Sequence, residues 1–140
     1  MRALRCLMLA GALAASGPGR AEDLLVIGHA GLPLASVSGE ELASIYLIKT
    51  AHWPGGMQIV PVNREASSPV RARFSELVLR QAPNALAAYW NQMHFKGKLP
   101  PLVQESDAAV LAFVQKVPGA IGYIGAGGAP VNVKVLARVP

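Results

Sequence analysis

Ile59 to Arg73, IVPVNREASSPVRAR, is the stretch on which the reading of the fold turns. Ile59-Val60-Pro61-Val62 is a short apolar run suited to a buried strand, and it runs out at Asn63 and Arg64. A few small polar residues follow, then Pro69. Proline is favoured at the first position of a helix, where its missing N–H has no partner to lose. Strand, short loop and helix start outline an anion site, because the first helical turn carries unpaired N–H groups and a partial positive charge. Arg64 and Arg71 flank that point with full charges, and Ser67 and Ser68 add hydroxyl donors. These four are the candidate anion-binding residues. Each also has a plainer reading. Arg64 can pair with Glu65 or another carboxylate, the serines can be N-caps, and Arg71 can be a solvated cation. A cation in a first helical turn opposes the helix dipole, which hints at a partner for Arg71.

Upstream, Arg2 and Arg5 form a charged start, Leu7–Ala15 is apolar, and Gly19 and Ala21 place small residues where a signal peptidase reads. That order predicts a secretory signal peptide over residues 1–21, too short for a spanning helix. The mature chain then covers 22–140, which is 119 residues and enough for one domain with its own core. Export is the expectation, to the periplasm if the cell is Gram-negative. Three of the 13 basic residues leave with the signal, so a net charge of +5 falls to ten basic against eight acidic residues. Those that remain are scattered, with no run and no aromatic interleaving, which argues against DNA or RNA as partner.

The single cysteine, Cys6, lies inside the signal, and no later segment approaches membrane-spanning length. His29, His52 and His94 fall in separate loops with no carboxylate at ligand spacing, so neither a metal nor a cofactor is expected. No Ser-His-Asp or Cys-His constellation points to an enzyme. Glu40-Glu41 is a helix start rather than a catalytic pair.

In chain order, Leu24–Gly28 reads as a buried strand. Ser38 with Glu41 offers a capping box for a helix burying Leu42, Ile45 and Tyr46. Trp53-Pro54-Gly55-Gly56 is a turn. The helix from Pro69 to Arg80 should bury Val70, Phe74, Leu77 and Val78. Another, opening at Pro83-Asn84, should end before Phe95-Lys96-Gly97, with Trp90 and Phe95 at the core or its edge. Pro100-Pro101 marks a rigid extended connection. Ser106 caps a helix burying Val110, Phe113, Val114 and Val117. Ala120–Gly125 and Val131–Val139 read as further strands. Strands alternating with helices predict an α/β layer architecture with parallel pairing.

Several motifs then coincide. S-G-E-E-L-A-S-I-Y-L at 38–47 is followed by Trp53 and by I-V-P-V-N-R at 59–64; V-Q-K-V-P-G-A-I-G-Y-I at 114–124 and V-K-V-L at 133–136 come later. In that order and spacing they resemble the phosphate-binding proteins that serve ABC importers, of the type II periplasmic binding-protein fold. The resemblance spans about Leu24 to Leu136 and takes in only the second of that family's two lobes. It implies a single three-layer α/β lobe with a mixed, mostly parallel sheet of four to five strands and flanking helices. Leu24–Gly28 and Val133–Leu136 sit where the chain of a full member would cross between lobes.

That family's ligand loop has an arginine followed by an Asp-Gly-Ser-Gly-Thr-like run. By resemblance the arginine falls on Arg64 and the serine on Ser68, or on Ser67 if the loop is one residue shorter. Ala66 stands in place of the aspartate, and Pro69 and Val70 in place of the glycine and threonine. The implied function is non-catalytic binding of inorganic phosphate or another oxyanion, with a homodimer or a protein partner supplying the second lobe. The alternative is an interaction scaffold with a drifted site, docking on a sensor, a transporter or an envelope component. An uncovered apolar face beside Gly28–Leu34 and Gly125–Pro130 would favour that alternative.

Overall fold

The computed structural model describes residues 23–128 and 130–140; the expected signal peptide lies outside them. Ten elements follow one another: β1 (Leu24–His29), α1 (Gly39–Tyr46), β2 (Val60–Arg64), α2 (Pro69–Phe74), a π-helical turn (Ser75–Leu79), α3 (Pro83–Phe95), β3 (Leu102–Gln104), α4 (Asp107–Lys116), β4 (Ala120–Gly125) and β5 (Val133–Val139). The five strands form one sheet in the order β3-β2-β4-β1-β5. β2 runs parallel to both β3 and β4, whereas β1 runs antiparallel to β4 and β5. The α/β lobe and its mixed sheet match the sequence reading, and β1 supplies the antiparallel share.

The sheet separates two apolar clusters. On one face α1 and α2 bring Leu42, Tyr46 and Phe74 against Val26, Ile121, Tyr123 and Leu136. On the other, α4 brings Val110 and Val114 against Ile27, Val62 and Ile124. Side chains alternate between faces along a strand, so β4 and the Leu24–Gly28 part of β1, buried throughout, feed both clusters and read as continuous apolar runs. Two glycines of PGAIGY have steric causes. Gly119 holds φ 82° with the carbonyl oxygen of Gln58 2.2 Å from where a Cβ would stand. A Cβ on Gly122 would come within 2.6 Å of Val110, so the glycine lets α4 lie close on β4.

Four local expectations are corrected. The extended connection at Pro100-Pro101 continues into a strand, β3, whose three residues pair with Val62–Arg64. The helix from Pro69 does not stay α-helical. Arg80 N–H donates to Ser75 C=O at 2.8 Å, five residues back. One extra residue in that turn rotates Leu77 outward, to 37% exposure, while Val78 and Leu79 pack against the core. The third correction concerns Phe95, which is 90% exposed rather than at the core edge. Gly97 N–H donates to His94 C=O and Lys98 N–H to Met93 C=O, so α3 ends in a Schellman motif with Gly97 at φ 74° and Phe95 on the outside. The last concerns the histidines: His29 ends β1 and His94 belongs to the final turn of α3, so neither lies in a loop.

Candidate anion site at the carboxyl edge of the sheet

Because β3, β2 and β4 are parallel, their carboxyl ends, Gln104, Arg64 and Gly125, lie along one edge of the sheet. Open α/β sheets take ligands outside that edge. Arg64 ends β2 with 9% of its surface exposed. Its Nε donates to Glu65 Oε2 at 3.0 Å and its Nη2 to Glu65 Oε1 at 3.1 Å, a bidentate pair. Its Nη1 donates to Asp107 Oδ1. Asp107 opens α4 behind the N-cap Ser106, whose Oγ accepts from Ala109 N–H at 3.0 Å. The other Asp107 oxygen, Oδ2, accepts from Gly125 N–H at 3.1 Å. A single carboxylate thus ties the ends of β2 and β4 together.

Of the five guanidinium N–H groups of Arg64, three hold carboxylate oxygens, and among the described residues one on each Nη has no partner. The hydrogen bond to Glu65 raises the Arg64 pKa, against the opposing effect of burial. The same bond holds the Glu65 carboxyl below its usual range.

Beneath the arginine lies an interlocked polar and aromatic stack. Asn63 Oδ1 accepts from Arg64 N–H at 3.1 Å and from the Tyr123 hydroxyl, which itself accepts from Arg64 N–H at 3.3 Å. Phe74 stacks on Tyr123 with ring centroids 4.0 Å apart, and Tyr46 meets Phe74 edge-on at 4.7 Å. The Tyr46 hydroxyl donates to Val62 C=O at 2.8 Å and to Ile121 C=O at 3.2 Å, bridging β2 and β4. Burial pushes Tyr123 up to about 12 and Tyr46 well above its ordinary value.

The rest of the loop is built from its caps. Ser68, 2% exposed, is the N-cap of α2, and its Oγ accepts from Arg71 N–H at 3.3 Å. The Arg71 side chain reaches back, its Nη1 donating to Arg64 C=O at 2.9 Å. That carbonyl is the partner the dipole argument calls for. Ser67 is exposed at the tip of the loop. Arg64, Ser68 and Arg71 are therefore drawn together, and Ser67 faces solvent beside them. Two arginines against Glu65 and Asp107 leave the local charge balanced. A cleft of about 800 Å³ adjoins the loop, running from Asn63 and Arg71 between the π turn and α3 to Leu86 and Trp90.

Sequence reasoning missed Asp107, Asn63 and Tyr123 as parts of the site. Half of the signal for Asp107 was present: an acidic residue directly after a serine N-cap marks a helix start, but β3, the strand that brings that start to the carboxyl edge, is too short to read. Among the described residues no three His, Cys, Asp or Glu side chains group as a metal site requires.

No family model matches the sequence, and no curated protein matches it. Solved structures do. A candidate phosphate ABC transporter substrate-binding protein from Clostridium perfringens, with phosphate bound, superposes with a TM-score of 0.67 at 24% identity over 82% of this chain and 44% of that one. An ABC-type phosphate transport receptor from Vibrio cholerae matches at 0.66 and 22% identity, over 82% of this chain and 45% of its own. PstS from Borrelia burgdorferi matches at 0.66 and 21%, over 83% and 47%. The fold is that of one phosphate-binding-protein lobe. The chain spans less than half the length of each of these proteins. At such identities the likeness concerns the lobe's fold alone.

Proposed function

We propose that this protein is an exported, non-catalytic phosphate-binding-protein-like module that takes phosphate or a similar oxyanion at the loop 63–71. The observation that carries the reading is the convergence of Arg64, Ser68 and Arg71 at the carboxyl end of β2. The phosphate ligand of one structural neighbour supports the chemical class. Ser67 and the two free N–H groups of Arg64 are the direct donors, with Arg71 supplying the second charge. An arginine and a helix start contribute about 1–2 kcal/mol each, so one lobe alone binds in the millimolar range. Tight binding needs a ligand enclosed on most sides, which a partner lobe, from a second copy or another protein, would supply.

Calorimetric titration with phosphate, and separately with sulfate, tests this. Millimolar heat with phosphate, weakened about tenfold in Arg71→Ala, is the expected result. Arg64→Ala should abolish the heat, and it is read beside a urea melt because it also leaves Glu65 and Asp107 unpaired. Absence of heat with either oxyanion would overturn the reading.

One observation favours a second reading. Glu65 and Asp107 occupy three of the five Arg64 donors, as expected of a retired ligand arginine kept for structure. The lobe would then be a scaffold that docks on an envelope protein through its carboxyl edge.

A further inference from the structure

The surface holds a second organised feature, far from the anion loop. The two most exposed large apolar side chains described are Phe95 at 90% and Leu99 at 75%. Between them stand Lys96, Gly97 and Lys98. The turn is ordered, since the Schellman hydrogen bonds from Gly97 and Lys98 to the last turn of α3 fix it. Neither lysine forms an ion pair among the described residues. No acidic residue occurs between Glu76 and Glu105, while Arg80, Lys96 and Lys98 all fall there. A rigid turn thus presents an aromatic and a leucine bracketing two free cations, on a stretch without carboxylates.

We propose that the turn 95–99 docks the protein on an anionic lipid bilayer, with Phe95 and Leu99 entering the interface and Lys96 and Lys98 lying among the headgroups. The pairing of apolar tips with basic residues is the chemistry of interfacial binding, and the juxtamembrane field of anionic lipids acts on each lysine. A folded protein partner fits less well. A stable protein interface buries about 800 Å² on each side, more than the two tips of a five-residue turn present by themselves. A bilayer needs no such complementarity.

The geometry keeps the two surfaces apart. Leu99 lines a shallow groove with Ile59 and Val60, at the start of β2, whereas Arg64 ends that strand. The docking turn and the anion loop are therefore separated by about the length of β2, roughly 15 Å. Docking leaves the carboxyl edge free, and the inference holds whether or not that edge binds phosphate.

Vesicle co-sedimentation of the purified protein tests it, with phosphatidylcholine vesicles against vesicles holding 30 mol% (roughly) phosphatidylglycerol, a composition set by the surface-charge requirement. The protein should pellet with the anionic vesicles and stay in solution with the neutral ones. Phe95→Ser with Leu99→Ser should weaken partition about tenfold or more. Lys96→Gln and Lys98→Gln should each weaken it about fivefold. All four side chains are exposed, so circular dichroism of each variant should match the parent. A Phe95→Trp variant should show a blue shift on adding anionic vesicles that the parent lacks. Protein that stays in solution with both vesicle types overturns the proposal. So does binding that depends on the lysines but is unchanged in the Phe95→Ser, Leu99→Ser variant, because charge attraction alone needs no inserted tips.

Discussion

The carboxyl edge of the sheet and the third helix are held by opposite means. At the edge, Arg64, Glu65, Asp107, Asn63 and Tyr123 satisfy one another, and Phe74 and Tyr46 close the stack from below. The partners there come from β2, α4, β4, α2 and α1, so the edge exists only when the whole lobe has folded. α3 is a local object. It begins with Pro83 and no side-chain cap, ends in a Schellman turn, is rich in alanine, and buries only Met93 fully. Its one side-chain hydrogen bond to the body among the described residues is from the Tyr89 hydroxyl to Leu47 C=O, at 2.5 Å. Long-range polar and aromatic packing from five elements holds the first region, whereas α3 rests on the body through few side chains, chiefly Met93 and Tyr89. The first suits a site, the second a docking surface.

That contrast can be broken most strongly at its aromatic hinge. Phe74→Ala removes a ring that is 1% exposed and lies against both Tyr46 and Tyr123, and it should cost about 3–5 kcal/mol in a urea melt. Phe95→Ala, the same change on the exposed turn, should stay within about 0.5 kcal/mol. Comparable losses at both positions would erase the distinction.

Alkaline pH probes the edge next. Tyr123 titrates at about 12 in the folded protein, against about 10 for a free tyrosine, so its neutral form is favoured by folding. Its contribution is fully present below pH 10 and is lost as pH rises through 12, amounting to about 3 kcal/mol. Tyr123→Phe should flatten the decline in stability over that window, as read from urea midpoints at stepped pH. A decline equally steep in the variant would assign it elsewhere.

The smallest effect sharpens the functional side. Asp107→Asn keeps an oxygen for Gly125 N–H and removes one of the two negative charges on Arg64. Stability should fall by only about 1 kcal/mol, since the Asp107 side chain is 39% exposed. Phosphate affinity, if the site binds anions, should rise several-fold in the calorimeter, because the freed guanidinium charge faces the ligand. Weaker phosphate binding would mean that Asp107 positions Arg64 for the ligand.

Much of this lobe was legible because its elements announce themselves locally. Leu24–Gly28 and Ala120–Gly125 are uninterrupted apolar runs, and Ser38, Ser68 and Ser106 each accept the helix N–H three residues ahead. Pattern reading failed where period or distance intervened. The π turn shifts the apolar stripe by one residue, and nothing in SELVL distinguishes it from an α-helical segment with Leu77 inward. The Schellman ending turns Phe95 outward although its spacing places it near the core. β3 is too short to show a periodicity. The site itself was half readable. Arg64, Ser68 and Arg71 lie within eight residues of one another, whereas Asp107 is 43 residues from Arg64 and Tyr123 is 60 from Asn63. Only the strand order β3-β2-β4 brings those partners to one edge.

The division of the core by the sheet has an optical consequence. Tyr46, Tyr123 and Trp53 belong to the cluster under α1 and α2, and Tyr89 and Trp90 sit on α3, with Trp90 lining the same cleft as Tyr46. These five are every tyrosine and tryptophan in the sequence. The cluster under α4 holds aliphatic side chains with only Phe113 packed at its margin. Intrinsic fluorescence therefore watches one face of the sheet and is blind to the other. An unfolding trace followed by emission would miss early loosening of α4, which amide hydrogen exchange would record.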